Sequence, residues 1–186
     1  MIDRLEDFLL CCEAMDFGKV SLAREECLFY RRFGNEIFSL CRSLPKSAQT
    51  DAMLFLMHYS GVRLGDEADF FANYYSPIWS IIYWLNKDHR FARNQLTAED
   101  VTNAITGHTM AMFLHSLDDH LTDRQVGVSP LTLLLRSSAW EIMNRAFFAL
   151  SAGVQGGERI VRHSIDNYYS ANQDSGQADS LEAYSD

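Results

Sequence analysis

Residues 97–124 read TAEDVTNAITGHTMAMFLHSLDDHLTDR, and residues 125–150 continue QVGVSPLTLLLRSSAWEIMNRAFFAL. Apolar residues recur here at three- and four-residue spacing and strict alternation is rare, which predicts helices rather than strands. Thr97, followed by Glu99 and Asp100, has the form of an N-cap with acids in the first turn. The helix it opens carries Val101, Ile105, Met112, Phe113 and Leu117 and runs to about Thr122. A loop follows from Arg124 to Pro130. Ser129 supplies a second N-cap and Pro130 a first helical residue, because proline has no N–H to leave unpaired there. The next helix covers Leu131 to Leu150.

The same periodicity extends outward in both directions. A first helix is predicted over Ile2 to Met15, broken by Gly18. A second covers about Leu22 to Leu44, with Leu28, Phe29, Phe33, Ile37, Phe38 and Cys41 as its apolar stripe, and Pro45 stops it. A third covers Ala48 to Tyr59. Glu67 to Asn86 reads as mostly helical, broken or kinked at Pro77. Gly153, Gly156 and Gly157 end the long helix, and Glu158 to Ser170 forms a last one. From Asn172 the text turns polar, and Leu181 to Tyr184 looks like a helix beginning behind Ser180. A helix start with no helix after it suggests a truncated chain; a polar tail is the other simple reading. The expected fold is all-α, an antiparallel helical bundle over residues 1–171 with a polar segment at 172–186.

Composition narrows the function. The 186 residues are 47% apolar and 12% aromatic, enough for a real core in one domain. The net charge of −9 argues against a nucleic-acid surface, which needs clustered Lys and Arg. It leaves diphosphate binding open, since a metal ion reverses the local sign. Acidic residues at the N-terminus are wrong for a signal or transit peptide, and no apolar run reaches membrane-spanning length, so no transmembrane segment is expected and the cytosol is the expected location. Cys11, Cys12, Cys27 and Cys41 form no CxxC pair and have no histidine at zinc-ligand spacing; the expectation is small buried hydrophobes.

The candidate chemistry lies at the end of the long helix. Residues four apart share a helix face, so His115, Asp119 and Asp123 form one row, with Asp118 about 100° round from Asp119. Three carboxylates there repel each other and also oppose the helix dipole, at roughly 0.3–1 kcal/mol each. Arg124 offsets part of this. A hard divalent cation would remove both penalties, and Mg2+ takes one or two carboxylates plus waters and substrate phosphates. A solvated acidic helix end is the alternative reading of the same residues.

Asp118-Asp119-His120-Leu121-Thr122-Asp123 matches a DDxxxD string. It ends a long apolar helix and is followed by a loop with Arg124 and Gly127 and a helix start at Pro130-Leu131-Thr132. Over about Thr97 to Leu150 the chain resembles the class I isoprenoid synthases, the superfamily of trans-prenyl diphosphate synthases and class I terpene cyclases. The resemblance implies an enzyme that binds an allylic isoprenoid diphosphate through Mg2+ and ionises it for chain extension or cyclisation. Asp118, Asp119 and Asp123 would be its catalytic and metal-binding residues, Arg124 would bind the diphosphate, and His115 would support Asp119 by a hydrogen bond. Aromatic side chains, among them Phe113, Trp140, Phe147 and Phe148 and several between Phe70 and Trp84, could line a cavity that stabilises a carbocation. The family often dimerises, so a homodimer is among the partners implied. The chain departs from the family in two ways. Only Arg124 stands where paired arginines are usual, and no second metal motif follows downstream, as expected of an N-terminal portion or an inactive relative.

Two other classes compete. An HD-type metal-dependent phosphohydrolase would bring His108 and His115 to one metal with an aspartate, although the adjacent pair here is reversed, Asp119-His120. A non-catalytic helical interaction domain would leave the acids in open solvent. Arg136, Glu141 and Arg145 read as the polar edge of their helix, and Arg162 and Asp166 as an intrahelical ion pair.

Overall fold

The structure, a computed structural model, describes residues 24–61, 76–87, 96–168 and 170. The expected first helix, Cys11, Cys12, the aromatic residues between Phe70 and Tyr75, and the polar segment 172–186 lie outside the described residues. Every regular element among the described residues is helical, so the fold is all-α. In chain order the helices are α1 (Arg24–Ser43), α2 (Lys46–Ser60), α3 (Ser76–Lys87), α4 (Ala98–Thr122) and α5 (Pro130–Ser151). Residues 157–168 form α6.

Both expected caps form, and both are reciprocal. The Asp100 backbone N–H donates to Thr97 Oγ1 at 3.0 Å, and the Thr97 N–H donates to Asp100 Oδ2 at 2.8 Å. At the start of α5 the Thr132 N–H donates to Ser129 Oγ at 3.1 Å, and the Ser129 N–H donates to Thr132 Oγ1 at 2.8 Å. Each box satisfies two N–H groups that a helix start leaves without intrahelical partners. Threonine completes the second box in place of the more usual glutamate. Pro77 lies in the first turn of α3, a position proline tolerates, and the residues of the expected helical stretch that precede Ser76 lie outside the described residues. Gly157 likewise belongs to the start of α6. The chain turns before it, at Gly156, whose φ of 77° is a backbone region that glycine enters without a Cβ clash.

α4 is the central helix. It packs against α1, α3 and α5, and its closest partner is α5. Val101, Ile105, Met110, Phe113, Leu114 and Leu117 are buried along it, together with Gly107, Thr109 and Ser116. Burial on more than one face explains its weak amphipathicity, because a helix with neighbours on several sides has little solvent face. Thr109 tolerates full burial because its hydroxyl donates to the Ile105 carbonyl at 2.7 Å. α1 contributes Phe33, Ile37, Leu40 and Cys41 to the core, and Leu44 follows just beyond its end. Of the expected stripe, Phe33, Ile37 and Cys41 are buried and Phe29 and Phe38 pack against the core, while Leu28 is 55% exposed; Cys27 is exposed where Cys41 is buried. Leu28 precedes the part of α1 that packs on α4, and the buried positions step from Phe33 by four, seven, eight and eleven residues. Burial pushes the Cys41 thiol up to about 11, so it is not a thiolate at neutral pH.

α4 and α5 are antiparallel. Asp118 meets Arg136 near the turn, and Gly107 meets Phe147 farther from it. Polar ties fasten α1 beside them: Arg32 Nη2 donates to Thr102 Oγ1 at 3.1 Å, and Thr106 Oγ1 donates to Glu36 Oε2 at 2.8 Å.

Ser129→Ala removes one half of a capping box and is expected to destabilise the protein by about 1 kcal/mol, read from the urea midpoint at unchanged m-value. The Asp100 carboxyl is held below its ordinary value by the Thr97 backbone N–H and then the Thr97 hydroxyl. A carboxyl with a lowered folded value contributes its stability in full above the unfolded value and loses it as pH falls through the folded one. Asp100→Asn should therefore flatten the loss of thermal stability below about pH 4, and an unchanged acid limb would contradict this.

Candidate functional site

The three aspartates of the DDxxxD string part company in space. Asp118 is turned toward α5 and α6. Arg136 donates to it as a fork, Nε to Oδ1 at 2.6 Å and Nη2 to Oδ2 at 2.9 Å. The Tyr168 hydroxyl of α6 adds a third bond to Oδ2 at 3.1 Å. The Asp118 side chain keeps 14% of its exposure and that of Arg136 30%, so the pair lies partly out of water, where a bidentate guanidinium–carboxylate contact is both directional and strong. Asp119 and Asp123 are exposed, as is His115, and they share the outer face of α4 as expected for residues four apart.

Arg124 is also exposed, and its φ of 58° is the one positive value among the described non-glycine residues. It follows the C-cap of α4, a place usually taken by glycine, and the left-handed backbone costs an ordinary residue roughly 1–2 kcal/mol. The reversal is held by Asp123 N–H to the Asp119 carbonyl at 2.9 Å and Gln125 N–H to the His120 carbonyl at 2.9 Å.

These positions test the fit of a magnesium ion. Both Asp118 oxygens are occupied by Arg136 and Tyr168, and Asp119 and Asp123 face solvent. No group of three or more His, Cys, Asp or Glu side chains among the described residues could hold a metal ion together. The described residues do not assemble a magnesium site in this arrangement. The histidines do not converge either. His108 packs edge-on against Phe33, with ring centroids 6.1 Å apart. His115 lies two turns on, about 10.5 Å along the axis, too far for one ion with ligand distances near 2 Å. His120 packs edge-on against Tyr59 at 5.3 Å.

Beside the Asp118–Arg136–Tyr168 cluster runs an apolar cavity of about 290 Å³. Leu114 and Ala111 of α4, Trp140, Met143 and Phe147 of α5, and Val161 and Ile165 of α6 are among its walls, and Tyr168 belongs to both cavity and cluster. The small side chains of Ala111 and Ser164 leave space between the helices. Trp140 and Tyr168 lie against each other with ring centroids 6.2 Å apart. Of the aromatic residues expected to line a cavity, Trp140 and Phe147 do so. Phe113 is buried in the core, and Phe148 stacks under the Arg162 guanidinium at 5.1 Å. Arg162 pairs with Glu158, at 2.7 Å, rather than with Asp166.

Sequence reasoning missed Arg136 and Tyr168. The signal for Arg136 was present: Asp118 and Arg136 stand nine residues to either side of Gly127, and a tight antiparallel hairpin folds such positions together. Nothing in the local text signalled Tyr168, which arrives from another helix.

No protein-family model, no curated protein and no solved structure matches this chain. No helix among the described residues is long and apolar enough to cross a membrane.

Arg136→Met leaves the partly buried Asp118 carboxylate without its charged partner. It should cost about 1.5–3 kcal/mol by urea denaturation. Asp118→Asn combined with Arg136→Met should cost less than the two single changes added together, and strict additivity would mean the contact is energetically idle.

Proposed function

We propose that this chain is a class I isoprenoid synthase-like protein that binds an allylic isoprenoid diphosphate between α4, α5 and α6. The observation that carries the reading is the position of Asp118: the first aspartate of the DDxxxD string stands at one end of an apolar slot walled in part by Trp140, Phe147 and Tyr168. An amphipathic ligand suits such a slot. Its hydrocarbon removes apolar wall from water, and its anionic head comes to the end where the Arg136 guanidinium, paired with Asp118 in this structure, would exchange that carboxylate for phosphate oxygens. The cavity, at about 290 Å³, lies just below the range of small-molecule sites, about 300–1,000 Å³. Asp119 and Asp123 stand on the outer face at the same end of α4, so the reading requires a hydrated Mg2+ carried by the diphosphate to reach them around the helix end. The aromatic walls are of the kind that stabilises a developing cation.

A second reading is favoured by a different observation. His115, Asp119, Asp123 and Arg124 are all exposed, as a non-catalytic helical interaction domain would have them.

Calorimetric titration with allylic diphosphates of increasing length separates the two. The proposal expects saturable binding that Arg136→Met weakens roughly tenfold to a hundredfold, the equivalent of one charge-assisted contact of about 1.5–3 kcal/mol. Pyrophosphate release in the presence of Mg2+, abolished by Asp119→Ala, would distinguish turnover from binding alone. An absence of binding across the whole series, in a protein whose helical signal is intact, refutes the proposal and leaves the interaction domain.

A further inference from the structure

α3 is apolar on opposite sides. It reads SPIWSIIYWLNK, with no charge before Lys87. One side meets the core: Tyr83 is buried edge-on to Phe29 of α1, with ring centroids 5.4 Å apart, and Ile82 packs against the core cluster. The other side is bare. Ile81, Trp84 and Leu85 are 54%, 59% and 52% exposed, and their spacing of three and four residues puts them on one helix face. The other exposed large apolar side chains among the described residues are spread over other helices and loops, where single exposures are ordinary. A helix that is apolar all round is normally covered all round.

The chain before Arg24 joins the fold beside this bare face. Glu25, in the first turn of α1, accepts a hydrogen bond at 2.8 Å from Lys87, the last residue of α3. Upstream of Arg24 stands IDRLEDFLLCCEAM, residues 2–15, for which the sequence predicts a helix. Ile2, Leu5, Leu9 and Cys12 follow one another by three, four and three residues, with Phe8 next to them, while Asp3 and Asp7 fall on the opposite side. A helix of this length is about 21 Å long, and α3 is about 18 Å. Residues 16–23, between this segment and α1, reach up to about 27 Å when extended, so the tether lets the segment lie along the whole of α3.

We propose that residues 2–15 dock as an amphipathic helix on the outer face of α3, with the Leu5, Leu9 and Cys12 stripe against Ile81, Trp84 and Leu85. A free protein partner, a second copy included, needs about 800 Å² from each side. A fully buried aromatic side chain supplies about 150–250 Å² of that, and this face offers one aromatic and two aliphatic side chains that are already about half covered. A tethered segment has no such threshold, because its attachment to α1 has already removed its translational freedom. An anionic membrane surface calls for free cations beside the apolar face, and the cation at the end of this one, Lys87, is paired with Glu25.

The test follows amide hydrogen exchange of residues 2–15 in the full chain. A solitary helix of this length is marginal in water, so slow exchange there reports packing. Wild type should exchange in this segment roughly tenfold or more slowly than Trp84→Ser or Ile81→Asp, while α4 and α5 stay equally protected in all three. Leu9→Asp, made in the segment and not on the face, should release it to the same extent. Both α3 positions are exposed, and the protection of α4 and α5 identifies any variant that fails to fold, so the comparison is taken from those that do. Wild-type residues 2–15 that exchange as fast as unstructured chain overturn the proposal, as does protection that the α3 substitutions leave unchanged. Light scattering and flotation with phosphatidylcholine–phosphatidylglycerol vesicles, run on the same proteins, identify the occupant in that event. A dimer that Trp84→Ser converts to monomer gives the face to a second copy, and flotation that Trp84→Ser abolishes gives it to a membrane.

Discussion

The close antiparallel contact between α4 and α5 governs the rest of the structure. Two helices of more than twenty residues are joined by a short reversal, each begins with a reciprocal cap, and they approach closely enough for a phenylalanine ring to fill the space beside a glycine. Protein interiors are packed about as densely as organic crystals, so such a contact admits one register and tolerates little slippage. Once the register is set, the remaining elements have defined places: α1 lays Phe33, Ile37 and Leu40 into the core beside α4, and α6 follows the turn at Gly156 and lines the slot with α4 and α5.

The register also explains why three neighbouring aspartates have different surroundings. A helix turns by about 100° per residue, so Asp118 and Asp119 cannot face the same way. The packing of α5 selects Asp118 as the inward one and presents Arg136 to it, and α6 adds the Tyr168 hydroxyl. The dipole cost of three acids at a helix C-terminus is thereby met unequally. Asp118 gains a guanidinium fork, while Asp119 and Asp123 remain in solvent, where water screens them. The apolar slot begins where this polar cluster ends. A charged end and an apolar end within one narrow space are the physical basis for an amphipathic ligand.

Much of this was legible in the chain. Apolar spacing identified α1, α2, α4 and α5 to within a few residues, and Thr97, Ser129 and Pro130 marked two helix starts correctly. Those signals are local: a cap or a proline acts on the backbone within one turn, so its effect does not depend on the rest of the fold. The errors fell where the effect is not local. Leu28 belonged to the expected stripe, yet it faces solvent while Phe29 beside it packs against Tyr83 of α3. Cys27 looked like a buried hydrophobe and is exposed, while Glu26 beside it is buried. Arg136 read as a polar edge because its partner is eighteen residues away.

By itself the sequence determined that the chain is helical, where its two longest helices begin, and that an acidic string stands at the end of one of them. Periodicity, capping and charge are properties of a few consecutive residues, and they survive without knowledge of any neighbour. Only the tertiary structure decided which aspartate turns inward, which arginine answers it, and that the slot beside them is bounded by a ring resting on a glycine. Those outcomes depend on how two helices pack across a turn, and packing is a relation between residues that the chain itself keeps far apart.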